Sequence, residues 1–142
     1  DIIHEFYYEQ GANKLHLSKN KTCSWTHQYQ DSIHVALHVS QLSFIHYKGN
    51  GYIRSLDTLN TSSFSIACFE GGGSVQLILK SDQVHVSLNS GVSDVHLSGQ
   101  TQNLYLYSGS STAPIKAENL KAIMFLPSIK TWGIFMYNVQ IN

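Results

Sequence analysis

The sequence predicts an all-β fold, a single-stranded parallel β-helix (a β-solenoid) with coils of about 20 residues. Three observations predict it. Pairs of apolar residues recur at this fixed interval, clusters of small residues recur at about the same interval, and apolar and polar residues alternate between the clusters. One coil of this kind cannot bury its apolar side alone, so successive coils must stack about 4.8 Å apart and pair their strands in parallel.

Two columns of apolar pairs carry the repeat. The first column predicts inward positions at Phe64/Ile66, Val84/Val86, Leu104/Leu106 and Met124/Leu126, preceded by Phe44 with His46 in place of a second apolar residue. The second column predicts inward positions at Leu15/Leu17, Val35/Leu37, Val75/Leu77, Val95/Leu97 and Ile115/Ala117, with Ile53 between the second and third pairs but out of exact step. Two interleaved columns make a chance pattern improbable.

The small-residue clusters predict the corners of the coils. They are Gly49-Asn50-Gly51, Gly71-Gly72-Gly73, Asn89-Ser90-Gly91 and Ser108-Gly109-Ser110. Such residues suit tight turns and positive φ angles. A β-sandwich is the rival fold, since it also joins short strands by frequent turns. The fixed period favours the solenoid.

The residues between the paired positions are predicted to face outward. One outward stripe is mixed polar and contains His16, Ala36, Arg54, Gln76, His96 and Lys116. The other becomes aromatic toward the C-terminus and contains Ile45, Ser65, His85, Tyr105 and Phe125. The final stretch, "TWGIFMYNVQIN", is apolar on both faces, so we expect it to be covered by the N-terminal segment "DIIHEFYYEQ" of another copy or by an end-to-end or side-to-side homodimer. A truncated C-terminus is the alternative explanation. Candidate binding or interface residues are therefore His85, Tyr105, Phe125, Trp132, Phe135 and Tyr137.

Length predicts one domain over residues 1–142. Within it, residues 1–30 are expected to form an N-terminal cap or first coil, and residues 31–142 the regular coils. At about 20 residues each, about six to seven coils are expected.

Composition excludes several classes of protein. Charged residues make up 13% of the chain and the formal net charge is zero, which argues against a nucleic-acid binder. No apolar run reaches the length of a transmembrane helix. The chain starts at Asp1 without a signal peptide, so it is expected to be a trimmed or mature product. Cys23 and Cys68 are expected to be small apolar residues, and a disulfide between them is the alternative if the chain is exported.

Histidines and carboxylates do not fall into a catalytic or metal-binding pattern. His34 and His38 share a strand face but stand about 13 Å apart, too far for one ion. No two of the eight histidines are separated by one full repeat, and His46 is expected to be a buried or corner histidine rather than a ligand. Glu70, Asp94 and Glu118 occupy different positions of the coil, so no pair of carboxylates is predicted to face one bond. We expect no metal, no cofactor and no enzymatic activity.

Three motifs resemble the head domain of putative autotransporter adhesins, the GIN-type domain of unknown function. They are the "GGGSV" corner at residues 71–75, the coil "SGVSDVHLSG" at residues 90–99 and the segment "IKAENL" at residues 115–120. The segment "KTCSWTHQY" also resembles a Cys-x-Trp segment near the start of some exported members. The resemblance covers roughly residues 20 to 125.

The resemblance implies a right-handed parallel β-helix that is exported into the envelope of a Gram-negative bacterium. It would reside in the periplasm, in the outer membrane as a lipoprotein, or on the cell surface. The family has no agreed catalytic or binding residues. We therefore expect a non-enzymatic display surface for adhesion or assembly, with a glycan or a surface protein as partner. The alternatives are a purely structural module, which a buried aromatic interface between copies would favour, and a polysaccharide-active enzyme, which clustered carboxylates would favour.

Overall fold

The computed structural model of the protein describes residues 6–11, 13–19, 34–129 and 140–141. The chain divides into two compact units, Asp1–His38 and Val39–Asn142. The expectation of one domain over residues 1–142 stays a prediction. Within the described ranges every regular element is a strand: β1 Phe6–Gly11, β2 Lys14–Lys19, β3 Phe44–Tyr47, β4 Tyr52–Arg54, β5 Leu59–Cys68, β6 Ser74–Leu88, β7 Asp94–Ser108, β8 Ile115–Ile129 and β9 Gln140–Ile141.

The first unit contains an antiparallel hairpin of β1 and β2. The pair Gly11↔Lys14 closes it, and Asn13 has a φ of 62°, a left-handed conformation that asparagine tolerates in tight turns. The prediction that Leu15 and Leu17 are inward positions of a coil is wrong, because they lie on this hairpin and are 41% and 40% exposed. The turn at Asn13 directs this segment into a hairpin, although the two leucines match the spacing of the repeat.

The second unit is the predicted β-solenoid. Its sheet order is β3-β5-β6-β7-β8-β9, with β4 also paired to β6, and every one of these pairings is parallel. The register between β5, β6 and β7 is constant at one repeat per strand, from Leu59↔Leu79 to Leu88↔Ser108. The described residues make about four turns rather than the expected six to seven. The right-handed sense remains what the family resemblance implies.

The expected coil around Val35 and Leu37 is absent. Residues 34–43 contain no strand, and these two side chains are 51% and 54% exposed. The regular coils therefore begin at β3 and not at residue 31.

Each coil has two straight parts that share one core. The first leg comprises residues 74–80 of β6 and 94–100 of β7, together with β4 and residues 115–121 paired to them. The second leg comprises residues 83–88 and 103–108, together with β3 and the paired residues 63–68 and 124–129. On each leg the apolar side chains of one strand face point inward, and they are buried: Val75, Leu77, Leu79, Val84, Val86, Leu88, Val95, Leu97, Leu104 and Leu106. Full burial of each such side chain contributes about 1.5–3 kcal/mol.

The corner between the two legs is made by hydroxyl side chains and was not predicted from the sequence. Thr61, Ser81 and Thr101 stack on successive coils, and each donates a hydrogen bond to the carbonyl oxygen two residues later at 3.1, 2.8 and 3.0 Å. Ser81 and Thr101 are buried. A local side-chain bond of this kind satisfies a backbone group where the strand bends. The strand can therefore turn without a glycine.

The corner between coils is where the predicted glycines lie. A Cβ on Gly71 would stand 2.0 Å from the carbonyl oxygen of Gly49, so this corner stacks backbone directly on backbone. Gly99 lies instead at the end of the first leg, outside the predicted clusters; it has a φ of 111°, and a Cβ there would meet the carbonyl oxygen of Leu79 at 2.0 Å. Only glycine combines that φ with so close an approach.

The register changes at the first coil, and a prediction fails there. The step between β3 and β5 is one residue longer than the repeat, as the pair Tyr47↔Cys68 shows. Because a slip of one residue exchanges the two faces of a strand, Tyr47 is buried and Ile45 packs against the core. The predicted inward residues Phe44 and His46 are exposed instead.

The register also changes at the last long strand. β8 contains one extra residue opposite the stretch between His96 and Ser98, a β-bulge after which the step again exceeds the repeat by one residue. Leu104 therefore pairs with Phe125 and Tyr105 with Leu126, so the predicted match of Met124 and Leu126 to Leu104 and Leu106 is wrong.

Candidate functional site

The outward face of the second leg carries a stack of two rings. His85 and Tyr105 are paired across β6 and β7, as their separation by one repeat predicts. Their ring centroids are 4.4 Å apart and their planes differ by 8°. His85 is exposed and Tyr105 is half-buried, so the stack presents a flat surface to solvent. Aromatic groups of this kind combine an apolar body with a polar edge.

The rest of this face is small or neutral. We call it the aromatic face; its described outward residues are Phe44, His46, Ser63, Ser65, Ala67, Gln83, His85, Ser87, Asn103, Tyr105 and Tyr107. None of these is Lys, Arg, Asp or Glu. His46 contacts Phe69 edge to face, with centroids 4.8 Å apart. A flat face without formal charge is suited to a ligand that is also uncharged.

The other predicted site residues cannot be added to this face. Trp132, Phe135 and Tyr137 lie outside the described residues. Phe125 is in register with the buried Leu104 rather than with Tyr105, and its side chain lies outside the description. Their role at a homodimer interface stays a prediction.

The outward face of the first leg carries a row of four polar side chains, three of which are basic residue types, and we call it the basic row. Arg54, Gln76, His96 and Lys116 occupy one register position on four successive strands. Beside this row runs a groove of about 520 Å³, which we call the basic groove. Its walls are formed by Arg54, Ser55, Leu56, Gln76, Leu77, Ile78, His96, Leu97, Ser98 and Lys116. The sequence pattern predicts this row as an outward polar stripe, but it does not predict a binding role for it.

The two sides of the basic groove differ in chemistry. The basic row lies on one side, where the Tyr52 hydroxyl donates a hydrogen bond to Gln76 Oε1 and leaves the amide nitrogen of Gln76 as a donor. On the other side Ile78 is 39% exposed and Leu56 is 74% exposed. A ligand in this groove would meet hydrogen-bond donors on one edge and apolar carbon on the other.

The cations of the groove have no carboxylate neighbour in ion-pair contact among the described residues. An ion pair does form elsewhere in the described residues. It lies at a corner of the solenoid and joins Lys48 Nζ to Glu70 Oε2 at 2.7 Å. Lys48 holds the pKa of Glu70 below its ordinary value through this hydrogen bond and its charge. Asp94 begins the first leg of β7 on the same face as His96, but it makes no ion pair with Arg54 or Lys116.

Two buried groups belong to the core and not to a site. Cys68 is a fully buried free thiol, as expected of a cysteine that serves as a small apolar residue. Cys23 lies outside the described residues. Burial raises the pKa of the Cys68 thiol to about 11. Burial also raises the pKa of Tyr47, with the neighbouring Cys68 as a smaller cause, and the Tyr47 hydroxyl donates to the carbonyl oxygen of Gly51 at 2.8 Å. Neither group is a reactive nucleophile in this state.

Carboxylates in the described part of the chain are held at separate places. Glu70 is paired with Lys48 at one corner, whereas Asp82 accepts a hydrogen bond from Gln102 at another, at 2.9 Å. Among the described residues, no group of three or more His, Cys, Asp or Glu could hold a metal ion. Within the same residues, no helix has the length and apolarity to cross a membrane.

Comparisons with known proteins give one family. Residues 5–130 match the family model described as "Putative auto-transporter adhesin, head GIN domain". Comparison with curated proteins and with solved structures gave no significant match.

Proposed function

Because the chain belongs to the putative auto-transporter adhesin head GIN domain family, we propose that it is a non-enzymatic contact module that binds neutral glycans through its aromatic face. Membership in this family indicates an exported or surface protein. Such a protein meets its ligands outside the cytoplasm, where polysaccharides and glycosylated surfaces are abundant. The module would then supply rigid attachment rather than chemistry.

The observation that carries this proposal is the coplanar stack of His85 and Tyr105 on an uncharged strand face. The apolar face of a sugar ring packs well against a flat aromatic surface. Tyr107 and Asn103 lie on the same face and add hydrogen-bonding groups at its edge. Both legs are built on parallel strands with a closely packed core, so the rings are presented without a large ordering cost on binding.

A non-catalytic role is supported by the placement of the described carboxylates. General acid–base cleavage of a glycosidic bond needs two carboxyl groups flanking that bond. Glu70 and Asp82 each have another partner, and they lie at different corners of the coil. Adhesion needs only the outward rings and a stiff support.

The test is a glycan array probed with the whole chain and with Tyr105→Ala. We expect retention of neutral glycans by the native chain and a loss of about tenfold in apparent affinity for the variant, because one ring of the stack is removed. Tyr52→Ala is the matched control, since Tyr52 is 55% exposed on the first leg, away from the aromatic face. Failure of the native chain to retain any neutral glycan, or an equal loss in both variants, would overturn the proposal.

A further inference from the structure

We propose that the basic groove is a second binding site, distinct from the aromatic face, and that it binds a linear acidic polysaccharide with carboxylates on successive sugars. The site is formed by Arg54, Gln76, His96 and Lys116, with Leu56 and Ile78 opposite them. The inference goes beyond the proposed function, because it concerns another leg of the coil and a charged class of ligand.

The first argument is charge. Arg54 and Lys116 are outward cations, and neither is in ion-pair contact with a carboxylate among the described residues. His96 and the amide of Gln76 stand between them as further hydrogen-bond donors. The described groove lining contains no Asp or Glu. Such a lining is electrostatically complementary to an anionic ligand, whose negative charge would offset the positive charge of the groove.

The second argument is spacing. The four side chains of the row stand on consecutive coils, so neighbours are separated by about 4.8 Å and the row spans about 14 Å along the solenoid axis. One coil is close to the length of one sugar unit in an extended chain. A polymer lying along the axis therefore keeps step with the coils, and the carboxylates on its groove-facing side come opposite members of the row on different coils. A small anion would use only one or two of these positions.

The third argument is the mixed character of the groove. Exposed Leu56 and Ile78 give the side opposite the cations an apolar surface, which the carbon face of a sugar ring can cover. The hydroxyl of Ser55 accepts a hydrogen bond from the backbone of Ile78 at 2.9 Å and keeps a proton to donate. A purely acidic peptide such as poly-glutamate would match the cations but has no ring face to cover this apolar side. A carbohydrate polymer is the class that fits both sides.

The experiment is a calorimetric titration of the whole chain with oligogalacturonate, a linear polyuronate, at low and at physiological salt. We expect binding that weakens as salt rises, since the contacts are charge-assisted. The double variant Arg54→Gln/Lys116→Gln should lose about tenfold or more in affinity. Lys14→Gln/Lys48→Gln removes the same charge from exposed positions that do not line the groove and should stay within about twofold of the native chain.

Three outcomes would overturn the inference. The native chain fails to bind oligogalacturonate, the control variant loses as much affinity as the groove variant, or poly-glutamate binds as tightly and competes, which would make the occupant a peptide. Thermal unfolding of all variants establishes that they are folded. Tyr105→Ala is expected to bind oligogalacturonate like the native chain, so a failure of the aromatic-face proposal remains distinguishable from a failure of this one.

Discussion

The two legs of each coil are alike inside and different outside. Inward positions on both legs of the central coils β6 and β7 are Val or Leu except at Gly99 and Ser108, and the apolar side chains of both legs are buried to the same degree. Outward positions on the first leg carry Arg54, Lys80, His96 and Lys116, whereas the described outward positions on the second leg carry no Lys, Arg, Asp or Glu. The stacking of coils constrains the inward residues only. The two outward faces are therefore free to bind ligands of different chemistry on one scaffold.

The similarity of the two interiors is tested most strongly by truncating one leucine on each leg. Leu79 on the first leg and Leu104 on the second are both fully buried. Leu79→Ala and Leu104→Ala should each lower the free energy of unfolding by about 2–5 kcal/mol, because each leaves a cavity in the shared core. Denaturant titration with a two-state fit measures both.

Gln100→Ala is the matched outward substitution for this pair, since Gln100 is exposed at the end of the first leg. It should change stability by less than about 0.5 kcal/mol. If one leucine variant were as mild as Gln100→Ala, the two legs would not share a single core, and the comparison between them would fail.

The corner between coils sharpens the comparison, because it joins the second leg of one coil to the first leg of the next. Gly71→Ala should destabilise the protein by about 2 kcal/mol or more, since the new Cβ would stand 2.0 Å from a backbone oxygen. Gly49→Ala in the same column has nothing within 4 Å of the new Cβ and should be neutral or slightly stabilising. Thermal melts of the pair provide the measurement. Equal melting temperatures would mean that the coils do not stack as closely as the structure shows.

The interiors of the two legs also differ in whether they make the stability of the fold depend on pH. The described inward positions of the second leg include Cys68 and Tyr47, whereas those of the first leg include no titratable group. Burial raises the pKa of the Cys68 thiol from 9.0 to about 11. Between these values the unfolded chain releases the thiol proton and the folded chain retains it, so stability falls as pH rises through this window.

The loss attributable to Cys68 should approach about 2 kcal/mol by about pH 11 and be absent below about pH 8. Denaturant titrations of the native chain and of Cys68→Ala at both pH values measure it, since the variant subtracts the contributions of all groups that do not interact with Cys68. Parallel pH profiles for the two proteins would show that the thiol is not buried in the second leg.

Prediction from sequence succeeded where the chain keeps a constant step. The coils of β5, β6 and β7 all follow one another by the same repeat, so the inward residues and the His85–Tyr105 pair follow from counting along the chain. It failed where one residue is added, at β3 and within β8, because a column of apolar residues contains no signal for an insertion. It also mistook Leu15 and Leu17 for a coil, although Asn13 marked a hairpin turn.

The candidate sites were predictable to different extents. The stack of His85 and Tyr105 could be predicted from the constant repeat alone. The basic groove was visible as a polar stripe, but its meaning depends on which cations lack a carboxylate partner and on the exposure of Leu56 and Ile78 beside them. Those are properties of the folded chain. The hydroxyl corner of Thr61, Ser81 and Thr101 also recurs with the repeat and could have been found by the same count.

The parallel stacking of coils has a mechanical consequence for the proposed contact role. In this arrangement the strands run across the solenoid axis and the hydrogen bonds between coils run along it. A force that pulls the two ends of the solenoid apart loads the coils in series, and each coil bears the same tension. A force applied sideways through one face is instead spread over every coil that the ligand touches. A polymer bound along the axis would thus be held against shear by several coils at once, whereas tension along the axis is resisted only by the weakest junction.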